Sequence, residues 1–439
     1  MSDAERLRAL RDQALAAAVR YAEAAFAPEP FVAGETAVPV GGRVIGAPEA
    51  RALVDASLDG WLTEGRWAER FREGLREATG RPGIALVGSG SQANLLAIAA
   101  LRSHLLERPL GPGDEVITPA VGFPTTINPI YQQGLRPVFV DVDPDTLNPS
   151  LEAIAAAIGP RTRAVVAAHC LGNPFDASGV ADLCAERGLE LVEDCCDALG
   201  SLYAGRLCGT FGSAATYSFY PAHHMTTGEG GAVGTTDERW TRAVGSLREW
   251  GRDCWCPPGV NDACGRRFEG RFGEMPEGYD HKYVFSHLGF NFKVTDMQAA
   301  LGAAQLERLE GFTRRRRENF ARLDAALRPL EERLILPRAL PGAEPSWFGY
   351  PFTLRDGDSA LRRELQLHLG ERRIDSRLLL AGNVTRQPAY LGLEHRIAGP
   401  LDGADLVTEA SIWVGCYPGL PDAAIDFVAE SVTAFFAAR

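Results

Sequence analysis

Between about residues 50 and 300, short apolar runs alternate with stretches of helical periodicity, and this alternation constrains the fold more than any other feature. The runs at 84–87, 115–118, 138–142, 164–168 and 189–192 each have the length of one strand. Helical patterns such as 92–105 and Leu151–Ala157 lie between several of them. Strand–helix–strand units of this size predict an α/β fold with a mostly parallel central sheet covered by helices on both faces. In such sheets a ligand sits beyond the carboxyl ends of the strands.

The remainder divides around that core. Leu7, Leu10, Ala14, Ala18 and Tyr21 recur at helical spacing, and Pro28 and Pro30 close the pattern, so residues 1–48 are read as an N-terminal helix and linker. Residues 49–310 form the large domain, and 311–439 a smaller C-terminal α/β domain. Residues 254–280 break the alternation, being rich in Gly, Pro and Cys; a long irregular loop in a compact domain is usually functional. The run Arg314–Arg317 reads as a solvated helix face. A net charge of −12 argues against nucleic acid as a partner. No run of about 18 apolar residues is present and the first residues are acidic, which excludes a membrane helix or secretory signal and predicts a cytoplasmic location.

Four local patterns carry chemistry. A strand runs into Gly88-Ser89-Gly90-Ser91-Gln92 and then a helix, a turn whose free N–H groups can cradle a phosphate or simply reverse the chain. Another strand ends at Glu193-Asp194, where a carboxylate can pair with a pyridinium nitrogen or cap a helix. Ser218-Phe219-Tyr220-Pro221-Ala222-His223-His224 leads into a Gly-rich stretch. Finally, Cys196, Cys254, Cys256 and Cys264 are spaced C-x57-C-x1-C-x7-C. In a cytosolic chain such thiols point to metal or catalysis rather than disulfides. By spacing alone they suit an iron–sulfur cluster, zinc, or no common site, although zinc pairs favour two to four intervening residues.

Together these residues resemble the sugar-aminotransferase family that includes the DegT and StrS proteins, strongly over about 45–310 and more loosely beyond. That family has the type I PLP-dependent aminotransferase fold and acts on nucleotide-linked keto-sugars. Its motif reads Ser-Phe-x-x-x-Lys, the lysine holding pyridoxal phosphate; here His223 takes the lysine's place, and the chain's two lysines, Lys282 and Lys293, lie elsewhere. The histidine and the cysteine spacing are similar to those of the 3-dehydrases of CDP- or dTDP-linked 4-keto-6-deoxyhexoses, which bind pyridoxamine phosphate and one [2Fe-2S] cluster.

The resemblance implies that His223 is the base, with Tyr220 and His224 beside it in the catalytic motif. It implies cofactor contacts from Gly90, Ser91, Gln92, Phe123, Asp194, Asp197 and Ser218. Asn291 is expected to reach the neighbouring subunit's cofactor, which implies a homodimer. Cys196, Cys254, Cys256 and Cys264 become the cluster ligands, and the other five cysteines packing residues. Electrons would come from a flavin and iron–sulfur reductase, or ferredoxin with its reductase, since no Gly-x-Gly-x-x-Gly opens a helix after a strand. The rivals are a cluster-independent 3-dehydratase of the deaminating type, a lysine-less aminotransferase, and a non-catalytic scaffold.

Overall fold

The computed structural model describes residues 2–256 and 259–439. Its central sheet has eight strands, in the order Gly83–Val87, Gly231–Thr235, Ala214–Ser218, Glu190–Asp194, Thr162–Ala168, Glu115–Pro119, Arg136–Val140 and Arg396–Ile397. Only Gly231–Thr235 runs antiparallel to its neighbours. Successive residues on a strand face opposite ways, and both faces here are buried, so the strands read as unbroken apolar runs. Val116, Val166 and Val192 pack on the layer of helices Gly90–Ala100 and Glu238–Arg248. Their neighbours Ile117, Val165 and Leu191 pack on the opposite layer, with Ile154 and Val180 of helices Leu151–Ala157 and Ala177–Arg187.

The C-terminal part forms a four-stranded antiparallel sheet, ordered Leu334–Ile335, Gly349–Leu354, Ser411–Gly415 and Ser376–Leu378. Helices Leu309–Leu327 and Asp422–Ala437 pack against it around Leu323, Phe352 and Val428. This part also returns to the central sheet. Arg396–Ile397 pairs in parallel with Arg136–Val140, and the main chain of Ala381 and Val384 bonds to Gly122 and Ala120. The sequence pattern carried no sign of that return, because a two-residue strand has no periodicity.

The expected N-terminal helix spans Asp3–Ala25 and opens with a capping box between Ser2 and Glu5. The run Arg314–Arg317 departs from its expectation. Arg314 is solvated, but Arg316, one turn face away, is fully buried. A four-residue run covers a full helical turn, so one member must face the core. No helix among the described residues is long and apolar enough to cross a membrane.

One cap ties distant parts of the chain together. Gly65 precedes helix Arg66–Thr79 and has no side chain to cap it. The buried carboxylate of Asp296 does so instead, accepting from the N–H groups of Gly65 and Ala68 at 2.8 Å each and of Trp67 at 3.3 Å. A Cβ on residue 65 would meet Trp61 Cδ1 at 2.7 Å and that carboxylate at 3.0 Å, so a side chain there would push on both. Asp296→Ala should lower unfolding stability by about 2 kcal/mol, read as a shifted denaturation midpoint.

Candidate active site

The strands Thr162–Ala168, Glu190–Asp194 and Ala214–Ser218 end at Ala168, Asp194 and Ser218, and all three residues line one cavity of about 730 Å³. The turn Ser89–Ser91, Phe123, and the segment Tyr220–His223 complete its large-domain wall. Phe348, Arg377, Leu378, Leu380 and Trp413 close it from the C-terminal part. The cavity thus lies where the sheet topology places a ligand.

Asp194 is buried at the floor and held from three other elements. Its Oδ2 accepts from Asn94 Nδ2 at 2.9 Å and Thr126 Oγ1 at 2.6 Å; its Oδ1 accepts from the Cys196 N–H at 3.0 Å and Thr216 Oγ1 at 3.3 Å. Above it, Gly90 starts a helix whose N-cap, Ser89, accepts from the Gln92 N–H. A Cβ at residue 90 would meet Ser218 Cβ at 2.6 Å and Cys196 Sγ at 3.0 Å, so a bare backbone is needed there.

His223 Nε2 lies 3.5 Å from Asp197 Oδ1, the outer limit of a hydrogen bond. Its Nδ1 is buried without a partner, and its ring sits 5.1 Å from that of Phe348. Burial, then the charge of Arg316, brings the His223 pKa down to about 4. Burial, then the nearby Asp194 charge, pushes Asp197 up to about 7. Between those values the imidazole is neutral and the pair's one proton rests on the carboxyl. Neither Lys282 nor Lys293 lines the cavity; Lys293 lies 3.7 Å over the ring of Trp250.

Of the residues expected at the site, Gly90, Ser91, Phe123, Asp194, Cys196, Asp197, Ser218, Tyr220 and His223 come together on this cavity. Three do not. His224 is turned into the core, where its Nε2 donates to the Ser346 carbonyl at 2.6 Å. His223 keeps the place on the cavity wall, while the Ser346 carbonyl holds His224 on the core side. Gln92 folds back so that its Oε1 accepts from the Gly88 N–H at 2.8 Å, steadying the turn instead of lining the cavity. Asn291 lies off its own chain's cavity, bridged to Glu249. The thiols divide. Cys196 lines the cavity and Cys254, Cys256 and Cys264 do not. The Cys254 and Cys256 thiols are hydrogen-bond neighbours, and Cys264 Sγ lies 3.4 Å from His281 Nε2. No three of the four lie within 4.8 Å of one another.

The sequence reading missed a buried anchor behind the floor. Glu193 accepts from His169 Nε2 at 3.1 Å and from the N–H groups of Gly209, Phe211 and Gly212 at 2.7 Å each. Cys195 Sγ completes a set of metal-type donors within 4.8 Å. With four donors already on the carboxylate, its role is to fix the strand that presents Asp194.

With this geometry in view, the chain can be placed among known proteins. The DegT/DnrJ/EryC1/StrS aminotransferase family matches residues 44–433. The chain belongs to that family. It has the family's type I PLP-dependent aminotransferase fold. Among its relatives, the lipopolysaccharide biosynthesis protein RfbH of Salmonella typhimurium is 49% identical, over 97% of this chain and 98% of that protein. A dTDP-4-dehydro-2,6-dideoxy-D-glucose 3-dehydratase of Saccharopolyspora spinosa is 50% identical, over 93% and 88%. A crystal structure of Escherichia coli GDP-4-keto-6-deoxy-D-mannose-3-dehydratase with bound hydrated PLP superposes with a TM-score of 0.80 at 27% identity, covering 90% of this chain and 99% of that one. Family members thus include both dehydratases and aminotransferases, such as a dTDP-4-dehydro-2,3,6-trideoxy-D-glucose 4-aminotransferase, and the site must decide between them.

The Asp197 carboxyl makes a stability prediction. As pH rises from its unperturbed 3.8 toward 7, the unfolded chain releases this proton while the folded chain keeps it, so folding stability falls across that window. Asp197→Asn should therefore raise the thermal midpoint of the cofactor-free protein at pH 8, with the gain shrinking as pH drops toward 4; a gain independent of pH would contradict the buried carboxyl.

Proposed function

We propose that this chain removes the C3 hydroxyl of a CDP- or dTDP-linked 4-keto-6-deoxyhexose, using pyridoxamine phosphate, with His223 as the base. The observation that carries the reading is the place of the His223 imidazole on a cavity wall that holds no lysine; burial, then the charge of Arg316, keeps that imidazole neutral. A lysine at this place would bind the cofactor's aldehyde; an imidazole leaves an amine-bearing cofactor free and works as a proton acceptor near neutral pH.

The residues fit the cofactor. Asp194, an anionic acceptor fixed by four hydrogen bonds, suits a protonated pyridine nitrogen. The bare backbone at Gly90, with the hydroxyls of Ser91 and Ser218 on the same wall, suits a phosphate at a helix N-terminus. Phe123, half exposed into the cavity, suits a face of the ring. Pyridoxamine phosphate supplies an amine for the sugar's carbonyl and a ring that holds negative charge. His223 Nε2 takes a proton on the cavity side, with Asp197 Oδ1 3.5 Å away. Among the described residues Arg377 is the one arginine or lysine on the cavity wall, and it suits the substrate's diphosphate. Asn291, lying outside its own chain's cavity, suits a contact to the cofactor of a second copy in a homodimer.

A [2Fe-2S] cluster held by Cys196, Cys254, Cys256 and Cys264 belongs to this reading. The adjacent thiols of Cys254 and Cys256 and the unpaired thiol of Cys196 beside Asp194 support it. A cluster supplies electrons singly; they would reach it from a flavin and iron–sulfur reductase, or ferredoxin with its reductase, in a cytoplasmic pathway. A second reading, the cluster-independent deaminating dehydratase, draws on a specific observation: the three loop thiols lie off the cavity wall that carries Cys196.

Two experiments test the proposal. Protein purified without oxygen should carry one cluster per chain and need a reductant for turnover. Full deoxygenation by iron-free protein would leave the second reading standing. His223→Asn should bind pyridoxamine phosphate normally yet lose solvent exchange of the cofactor's methylene protons by at least about a hundredfold; retained exchange would remove the base from this residue.

A further inference from the structure

Arg316, on helix Leu309–Leu327, has none of its surface exposed, and among the described residues no carboxylate lies within ion-pair distance of it. Its guanidinium bonds mainly to main-chain carbonyls, with the Cys416 thiol beside it. Nη1 donates to Trp347 at 3.2 Å and Phe348 at 3.0 Å; Nη2 donates to His223 at 3.0 Å and Ala222 at 3.5 Å. Nε has no partner. Burying a cation without a counter-ion is costly, and hydrogen bonds to neutral carbonyls offset only part of that cost. A clamp without charge would hold the same two segments more cheaply.

The two segments meet at the site. Ala222 and His223 belong to the turn that follows strand Ala214–Ser218. Trp347 and Phe348 lead into strand Gly349–Leu354 of the C-terminal sheet, and the ring of Phe348 backs that of His223. The planar fork of arginine can bond to both at once; the single ammonium of lysine cannot.

We propose that Arg316 is a positioning residue, locking the main chain of His223 to that of Phe348 so that the imidazole faces the cavity floor. The inference rests on the reading of His223 as the base. The charge has a second effect. The titratable or charged groups around His223 are Asp197 and Asp194 at the end of their strand, Tyr220 and His224 in its own turn, and Arg316 from the helix. Burial and then Arg316, which disfavours a second cation beside it, keep the imidazole neutral.

The test uses full-length protein loaded with pyridoxamine phosphate, a CDP- or dTDP-linked 4-keto-6-deoxyhexose, and the rate of methylene proton exchange against pH. Loading is read separately from cofactor absorbance. Arg316→Met should cut the plateau rate by about tenfold or more and move the acid limb to higher pH, since removing a cation raises the imidazole's pKa. Arg316→Lys should keep the limb in place and recover part of the rate. Should the Met variant fail to fold, the Lys variant decides alone: a wild-type limb with a reduced plateau supports the lock, and a wild-type plateau overturns it. Unchanged rate and limb in a loaded Met variant also overturn it. Absence of exchange in the loaded wild-type protein would instead bring down the reading of His223 as base, and this inference with it.

Discussion

The site depends on one buried carboxylate. Asp194 sits at the carboxyl end of a central strand and is bonded by Asn94, Thr126 and Thr216 from two helices and the next strand. A buried anion needs such donors, and each donor must come from an element already packed in place. The requirement fixes helices Gly90–Ala100 and Pro124–Gln132 over the sheet edge and thereby the turn at Ser89 and Phe123 that begin them. Behind it, Glu193 points the opposite way and is bonded by His169 and three main-chain N–H groups. Two adjacent acids on one strand, facing opposite layers, thus tie the cavity floor to the back of the domain.

Much of this was legible in the sequence where a residue's role depends on its neighbours along the chain. The strand runs, the turn at Gly88–Gln92, Asp194 at a strand end and the helix Leu151–Ala157 all follow from local pattern. What escaped depends on contacts across the fold. Arg316 sits in a run of four arginines that looks solvated, and only the packing of its helix against residues 347–348 makes it a buried cation. His224 adjoins His223 and shares its chemistry, yet a carbonyl at residue 346 draws it inward. The Glu193–His169 pair joins residues 24 apart, with no motif to mark it.

The cysteines divide along the same line. Their spacing marks Cys254, Cys256 and Cys264 as a local group, and the structure keeps the first two thiols adjacent and the third against His281. The place of Cys196 follows from the strand that ends at Asp194, which presents its thiol to the cavity independently of the loop. A local group and a sheet-borne thiol answer to different forces. The first is set by a loop whose own buried anchor is His281, with Trp255 and Phe272 packed around its ring; the second is set by the sheet.

The balance of charge around His223 accounts for a histidine at this place under the proposed function. Burial and Arg316 both disfavour its cation, while Asp194 favours it, and the outcome is a neutral ring next to a carboxyl that holds a proton to about pH 7. A lysine in the same surroundings would also be driven toward its neutral amine, and a neutral amine is a nucleophile. Under the proposed function, an environment that suppresses positive charge makes lysine a competitor for the cofactor's carbonyl form and leaves histidine to act as the base. On the proposed reading, the burial of His223 beside the buried Arg316 favours proton transfer over covalent attachment before any substrate enters.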